Sequence, residues 1–275
     1  VYNNKRKLKI GYFWEDDSLC VLPCMKRGIL ECIDHLKENY EIVEWKPINI
    51  TKCFSLFTRV IFADGGKSFY TTVKNDDLIE NLKRLYRLLQ LPRCMKKCIS
   101  IYSYISKDII LKAMMSGVTG VGSYNNWIKL AIEFKDYRNE VLKSWDENNI
   151  DLVIAPGMAI PSVQSKYLVN KEIVAWPNIY PNVLDFVAGC MPVSNVLQSD
   201  FEDMIKEEKI NKKWCYKQIA DITKNQNFIN MPINIQIYGR PNSEELVLSL
   251  MKELEEKIKY QIPDCRDATV CFKKQ

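Results

Sequence analysis

Few side chains in this sequence are spaced to do acid–base or nucleophilic chemistry unaided. Its 275 residues include one histidine. His35 lies beside Asp34 in a helical pattern, and a surface position accounts for it. A Ser–His–Asp triad would rest on that residue alone, and a two-histidine metal site is excluded. Ten cysteines stand at 20, 24, 32, 53, 94, 98, 190, 215, 265 and 271. Cys20/Cys24 and Cys94/Cys98 have three residues between them, not the two of a redox or zinc motif. Several sit where a helix or strand buries a small apolar thiol, which points to free, reduced cysteines and an intracellular compartment. Gly65-Gly66 can cradle an anion on backbone N–H groups. However, Asp64-Gly-Gly-Lys-Ser68 lacks the strand–GxxxxGK[ST]–helix spacing of a phosphate loop and reads as a turn. Ser116-Gly-Val-Thr-Gly-Val-Gly-Ser123, the one Gly/Ser-rich run, reads as a flexible loop.

The elements that position these groups follow from composition and periodicity. Hydrophobic content of 47% and charged content of 27% fit a globular chain with a sizeable core. A net charge of +5 tolerates an anionic membrane face and does not call for nucleic acid. The polar, basic opening Val1 to Lys7 is not a signal peptide, and no apolar run is long enough to span a bilayer. Leu8–Phe13 and Tyr40–Trp45 read as strands. Between them Pro23 opens a helix with Leu22, Met25, Ile29, Ile33 and Leu36 on one face, so the unit is βαβ with parallel strands. Asp76–Leu91 reads as a helix with Leu78, Leu82, Leu85 and Leu89 on one face. In 91–115, Leu91, Cys94, Met95, Cys98, Tyr102, Ile105 and Ile109 share a face, and Arg93, Lys96 and Lys97 lie on others. That pattern fits an interfacial membrane helix or a helix packed on its own core. Trp127 to Trp145 is amphipathic, and Glu202–Lys224 and Glu244–Ile258 are helical. Further strands fall at 152–155, 192–196 and 233–238. The fold class is α/β, a mixed sheet between helical layers.

Two stretches share a grammar of Pro, alternating strand and exit. The first is Asn182-Val-Leu-Asp-Phe186-Val-Ala-Gly189-Cys-Met-Pro192-Val-Ser-Asn-Val196, with a turn expected at Ala188-Gly189 and a strand entered through Pro192. The second is Met231-Pro-Ile-Asn-Ile-Gln-Ile-Tyr-Gly239-Arg-Pro241. With Ile61-Phe-Ala-Asp-Gly-Gly66, they resemble the C-terminal half of an amidase-signature enzyme, and within that family the fatty acid amide hydrolases. The resemblance runs from about Leu8 to about Ile258.

The resemblance implies an amidase-signature α/β/α sandwich. Residues 1–258 would form part of a single amidase domain, with helical membrane-cap residues at about 91–115 and a polar tail at 259–275. It implies hydrolysis of fatty acyl amides or esters without a cofactor or metal. Phe62, Ile61, Leu82, Leu85, Ile179, Ala175 and Trp214 would line the acyl chamber. Leu91, Met95, Tyr102, Ile105, Ile109, Arg93, Lys96 and Lys97 would meet the membrane. It further implies a homodimer, peripheral or monotopic on a cytoplasm-facing endomembrane. The family's Ser–Ser–Lys triad lies before the matched region and is not recognisable here; Ser116–Ser123 lacks its paired serines. The chain alone is therefore expected to be inactive. Two alternatives stand beside this reading. One is a non-catalytic lipid-binding or membrane-associated module. The other is a glutaminyl-tRNA amidotransferase subunit or general amidase, which the basic cap helix and the Phe62–Gly66 turn disfavour.

Overall fold

The computed structural model describes residues 6–16, 19–105, 109–163, 172–211, 213–224 and 228–261. Pro23 opens helix α1 (Pro23–Leu36), which buries Cys24, Met25, Gly28, Ile29, Cys32 and Leu36. The strands on either side, β1 (Lys9–Tyr12) and β2 (Glu41–Glu44), pair in parallel with Ile10 opposite Ile42, as the strand–helix–strand spacing requires. On its other edge β1 pairs in parallel with β3 (Leu152–Pro156), a short run buried on both faces. β5 (Pro232–Gly239) is antiparallel to both β3 and β4 (Val187–Asn195). The mixed sheet has the order β2-β1-β3-β5-β4.

The period-two alternation of β5 separates two helical layers. Ile233 faces α1, which lies beside α11 (Glu244–Ile258) and α9 (Gln198–Ile210). On the opposite face, Gln236 Nε2 donates to Pro177 O in α8 (Trp176–Leu184) at 2.8 Å. There Tyr238 stacks on Trp145 of α7 (Tyr124–Asn148), with ring centroids 6.1 Å apart. Helix α2 (Ile50–Ile61) packs on α7 and α8 in the same layer.

The stretch from Asn182 to Val196 differs from the sequence reading. The turn falls at Asp185, whose φ of 56° is left-handed and ends α8, not at Ala188-Gly189. β4 begins at Val187, five residues before the expected 192. Gly189 lies inside the strand because α11 crosses it closely: a Cβ there would lie 2.2 Å from Met251 Sδ. Pro192 is interior to β4 beside a bulge at Pro192/Ser194, tolerated because β4 is the outermost strand. Glu202–Lys224 resolves into α9 and α10 (Trp214–Lys224), broken where Asn211 turns extended. Cys265, Cys271 and the rest of the tail beyond Gln261 lie outside the described residues.

Four helices project from α2: α3 (Lys67–Val73), α4 (Glu80–Gln90), α5 (Arg93–Ile105) and α6 (Ile109–Val118). They are built around a small core of their own, Leu89, Met115 and Val118. Two features of α6 attach them to the main body. Thr58 Oγ1 donates across α2 to Ala113 O at 2.7 Å. Gly117 touches α2 so closely that a Cβ would lie 2.3 Å from Thr58 O. Ser116–Val118 therefore form the last turn of α6, and the loop expected over 116–123 shrinks to its second half. There Gly120 and Gly122 take positive φ, and Ser123 accepts the Asn126 N–H to cap α7.

Candidate functional site

The last turn of α2 delivers the first candidates. Ile61 ends the helix 53% exposed. Phe62 caps it and turns inward. The chain then reverses through Gly65 and Gly66, both at positive φ. The anion held at this turn is the protein's own. Asp64 Oδ1 accepts the Gly66 N–H and Oδ2 accepts the Ser68 N–H, each at 2.7 Å, at the start of α3. Hydrogen bonds from Ser68, side chain first, and from the Ser68, Gly66 and Lys67 N–H groups hold the Asp64 carboxyl below the usual carboxylate range.

Behind the turn is a small packed apolar cluster. Phe62, Phe69, Leu85, Leu88, Ile99 and Leu111 close around Leu89, Met115 and Val118. A cavity of about 400 Å³ opens beside it, lined by Gly65, Gly66, Lys67, Tyr70, Leu89 and Gln90. Phe62 and Leu85 thus pack against the same cluster, and Leu82 is half-buried on the helix of Leu85. Ile179 belongs to a second place, the main core under α8. Ala175 ends the 3-10 turn Glu172–Ala175, against which α10 packs. Trp214 is the first residue of α10, and its side chain lies outside the described set. α2 touches both places, through α6 on one side and α8 on the other.

The stretch read as a membrane cap forms α5 and α6. Met95 (49%), Ile101 (64%) and Tyr102 (64%) are exposed on α5, together with Cys94, Lys97 and Cys98. Leu91 is half-buried; the side chains of Arg93, Ile105 and Ile109 lie outside the described set. Lys96 departs from the expected basic flank: it is buried, and its Nζ donates to Leu89 O at 2.9 Å and Val118 O at 3.2 Å. These carbonyls end α4 and α6, so the ammonium satisfies orphan acceptors at the negative ends of two helices. Its partners lie 7 and 22 residues away, beyond any local pattern in the sequence.

The polar groups near α2 serve packing. Ser55 Oγ lies 3.4 Å from Ser116 Oγ, tying α2 to α6, and Ser116 donates to Ala113 O within α6 at 2.6 Å. Burial raises the hydroxyl pKa of Tyr180 and Tyr238 well above the phenol value, so neither is a base. His35 is exposed on α1. Among the described residues no cluster of three His, Cys, Asp or Glu is placed to hold a metal, and no helix is long and apolar enough to cross a membrane. What the described geometry offers is a small apolar cluster with a cavity beside it and a helix, α5, that exposes Met95, Ile101 and Tyr102.

Solved structures share this fold. A fatty acid amide hydrolase superposes with a TM-score of 0.65 at 14% identity, over 92% of this chain and 40% of that chain. A 6-aminohexanoate cyclic dimer hydrolase superposes with a TM-score of 0.56 at 13% identity, over 95% and 48%. Identities this low establish the shared fold. The family model Amidase matches residues 1–248, and the chain belongs to the amidase family. Fatty acid amide hydrolase 1 of Caenorhabditis elegans is 27% identical over 263 residues, and its counterpart in Sus scrofa 26% over 259. Each alignment covers 93% of this chain and 44% of the relative, so the chain spans under half the length of these relatives.

Proposed function

We propose that this chain supplies the acyl-chain-binding and membrane-facing part of a serine amidase that hydrolyses fatty acyl amides to a fatty acid and an amine. The observation that supports this reading is the cavity of about 400 Å³ beside the Leu89 cluster, close to α5. That helix packs Ile99 on the cluster and turns Met95, Ile101 and Tyr102 to solvent. A lipid amide needs both features, an apolar slot for its chain and a route out of the bilayer that keeps the chain from water. Residues 1–258 act as part of one amidase domain. The reaction needs a serine activated by a base, with backbone N–H groups at the oxyanion; in this reading the Ser–Ser–Lys group comes from outside residues 1–275. A non-catalytic lipid-binding module is the second reading, favoured by the use of the Ser55–Ser116 pair in helix packing.

Flotation with anionic vesicles tests the lipid route. The parent protein is expected to float. The double variant Met95→Asp, Tyr102→Asp is expected to remain in the dense fraction, because it puts two charges on the face that enters the interface. Lys97→Glu is expected to lose binding only at low salt. Equal flotation of all three would show that α5 does not face the membrane, and the lipid-substrate reading would lose its route.

A further inference from the structure

Cys20 and Cys215 are 195 residues apart in sequence, yet their Sγ atoms lie 2.7 Å apart. Both residues are buried, at 1% and 0% exposure. Cys20 lies between β1 and α1, and its carbonyl accepts the Trp176 indole N–H at 3.2 Å. Cys215 is in the first turn of α10. Just before it, Lys213 Nζ reaches back to the same segment, 2.5 Å from Glu15 Oε2 and 2.8 Å from Asp16 O. A cavity of about 380 Å³ at the ends of β1 and β2 is lined by Glu15, Asp16 and Lys213 among others.

We infer that Cys20 and Cys215 are a peroxide-oxidisable pair, which hydrogen peroxide converts into a disulfide clamping the β1 exit segment to α10. This inference rests on the geometry of the pair and not on the amidase reading. A disulfide needs sulfurs about 2.05 Å apart, so the observed separation closes by a fraction of an ångström. The two thiols are also unequal. The hydrogen bond from Cys20 holds Cys215 below the usual thiol range, helped by the Lys213 ammonium. The same contact and burial push Cys20 up. Burial pushes Cys24 and Cys32 up to about 12, which leaves them as unreactive thiols.

The chemistry balances in two steps. The Cys215 thiolate attacks one peroxide oxygen, the O–O bond breaks, and the departing hydroxide takes a proton to become water; Cys215 is now a sulfenic acid. Cys20 then attacks that sulfur: the S–S bond forms, the S–O bond breaks, and the Cys20 proton leaves with the hydroxyl as a second water. The two sulfurs together lose two electrons and the peroxide gains them.

The test is peroxide treatment of the folded protein, thiol blocking in denaturant, and non-reducing peptide mapping. A Cys20–Cys215 linked peptide is expected, with a rise in melting temperature of roughly 5 °C or more that dithiothreitol reverses. Cys215→Ala and Cys20→Ala should each abolish the linked peptide, while Cys94→Ser should keep it. Mapping of the parent protein stays decisive if the alanine variants fold poorly. Absence of the linked peptide at a dose that already oxidises the exposed Cys94 and Cys98 would overturn the inference. A linked peptide without a rise in melting temperature would overturn the clamp.

Discussion

Replacing Lys96 with glutamate is expected to melt α4, α5 and α6 while leaving the sheet folded. The ammonium is buried and holds the last carbonyls of two helices, Leu89 O and Val118 O. A carboxylate there donates nothing to them and adds a buried negative charge at the negative ends of both helix dipoles. Lys96→Met keeps the length and removes the donors. Each hydrogen bond to a charged group contributes about 1.5–3 kcal/mol, so this milder variant should lose at least that much from the local unit. Hydrogen exchange resolves the outcome by element. Amides of α5 and α6 should lose protection in both variants, most in the glutamate, while those of β3 and β5 stay as in the parent. Parent-like protection of α5 in Lys96→Glu would mean that Lys96 is not the clasp.

Trp145→Ala is expected to lower global stability by about 3–5 kcal/mol, the range for removing a large buried aromatic. Trp145 is fully buried at the end of α7. Its ring packs edge-on against Trp45 (5.9 Å) and Phe186 (4.9 Å) and stacks on Tyr238, while the Arg240 guanidinium lies 5.7 Å from its centroid. It thereby joins α7, the end of β2, the start of β4 and β5. Its indole N–H is buried without an acceptor among the described residues. Trp145→Phe keeps much of the packing and removes that donor, so it should cost clearly less than alanine. Urea midpoints at constant slope measure both. Equal losses for Phe and Ala would place the value of Trp145 in something other than ring packing.

How much of this was legible in the sequence depends on how local each cause is. The β1–α1–β2 unit was legible because Pro23 and the alternation of Leu8–Phe13 are local signals and the crossover fixes parallel pairing. α7 was legible because Tyr137, Val141 and Trp145 recur at helical spacing. The start of β4 was not, since a glycine announces a turn locally while Gly189 answers to Met251 on a distant helix. Lys96 was misread for a similar reason: on a helical wheel it is one more surface cation, and its carbonyl partners appear only when α4 and α6 are brought together. At the candidate site, Phe62 and Leu85 pack against one small core, as the helical periodicity of Leu82, Leu85 and Leu89 alone would give. Ile179 sits elsewhere, on the α8 side of α2. The Cys20–Cys215 pair had no signal, because nothing in the spacing of ten cysteines selects one distant partner.

The central claim is that this chain houses the lipid and that the nucleophile comes from outside it. Turnover of a fluorogenic long-chain acyl amide, read alongside fluorophosphonate labelling mapped by mass spectrometry, tests it most directly. Residues 1–275 alone are expected to give neither turnover nor labelling, because an unassisted serine hydroxyl is too weak a nucleophile for an amide. Adding the N-terminal half of a family member in co-expression is expected to restore both, with the label on a serine of the added half. Turnover by residues 1–275 alone, with stoichiometric labelling of one of its serines that is lost when that serine is replaced, would contradict the claim and place the chemistry inside this chain.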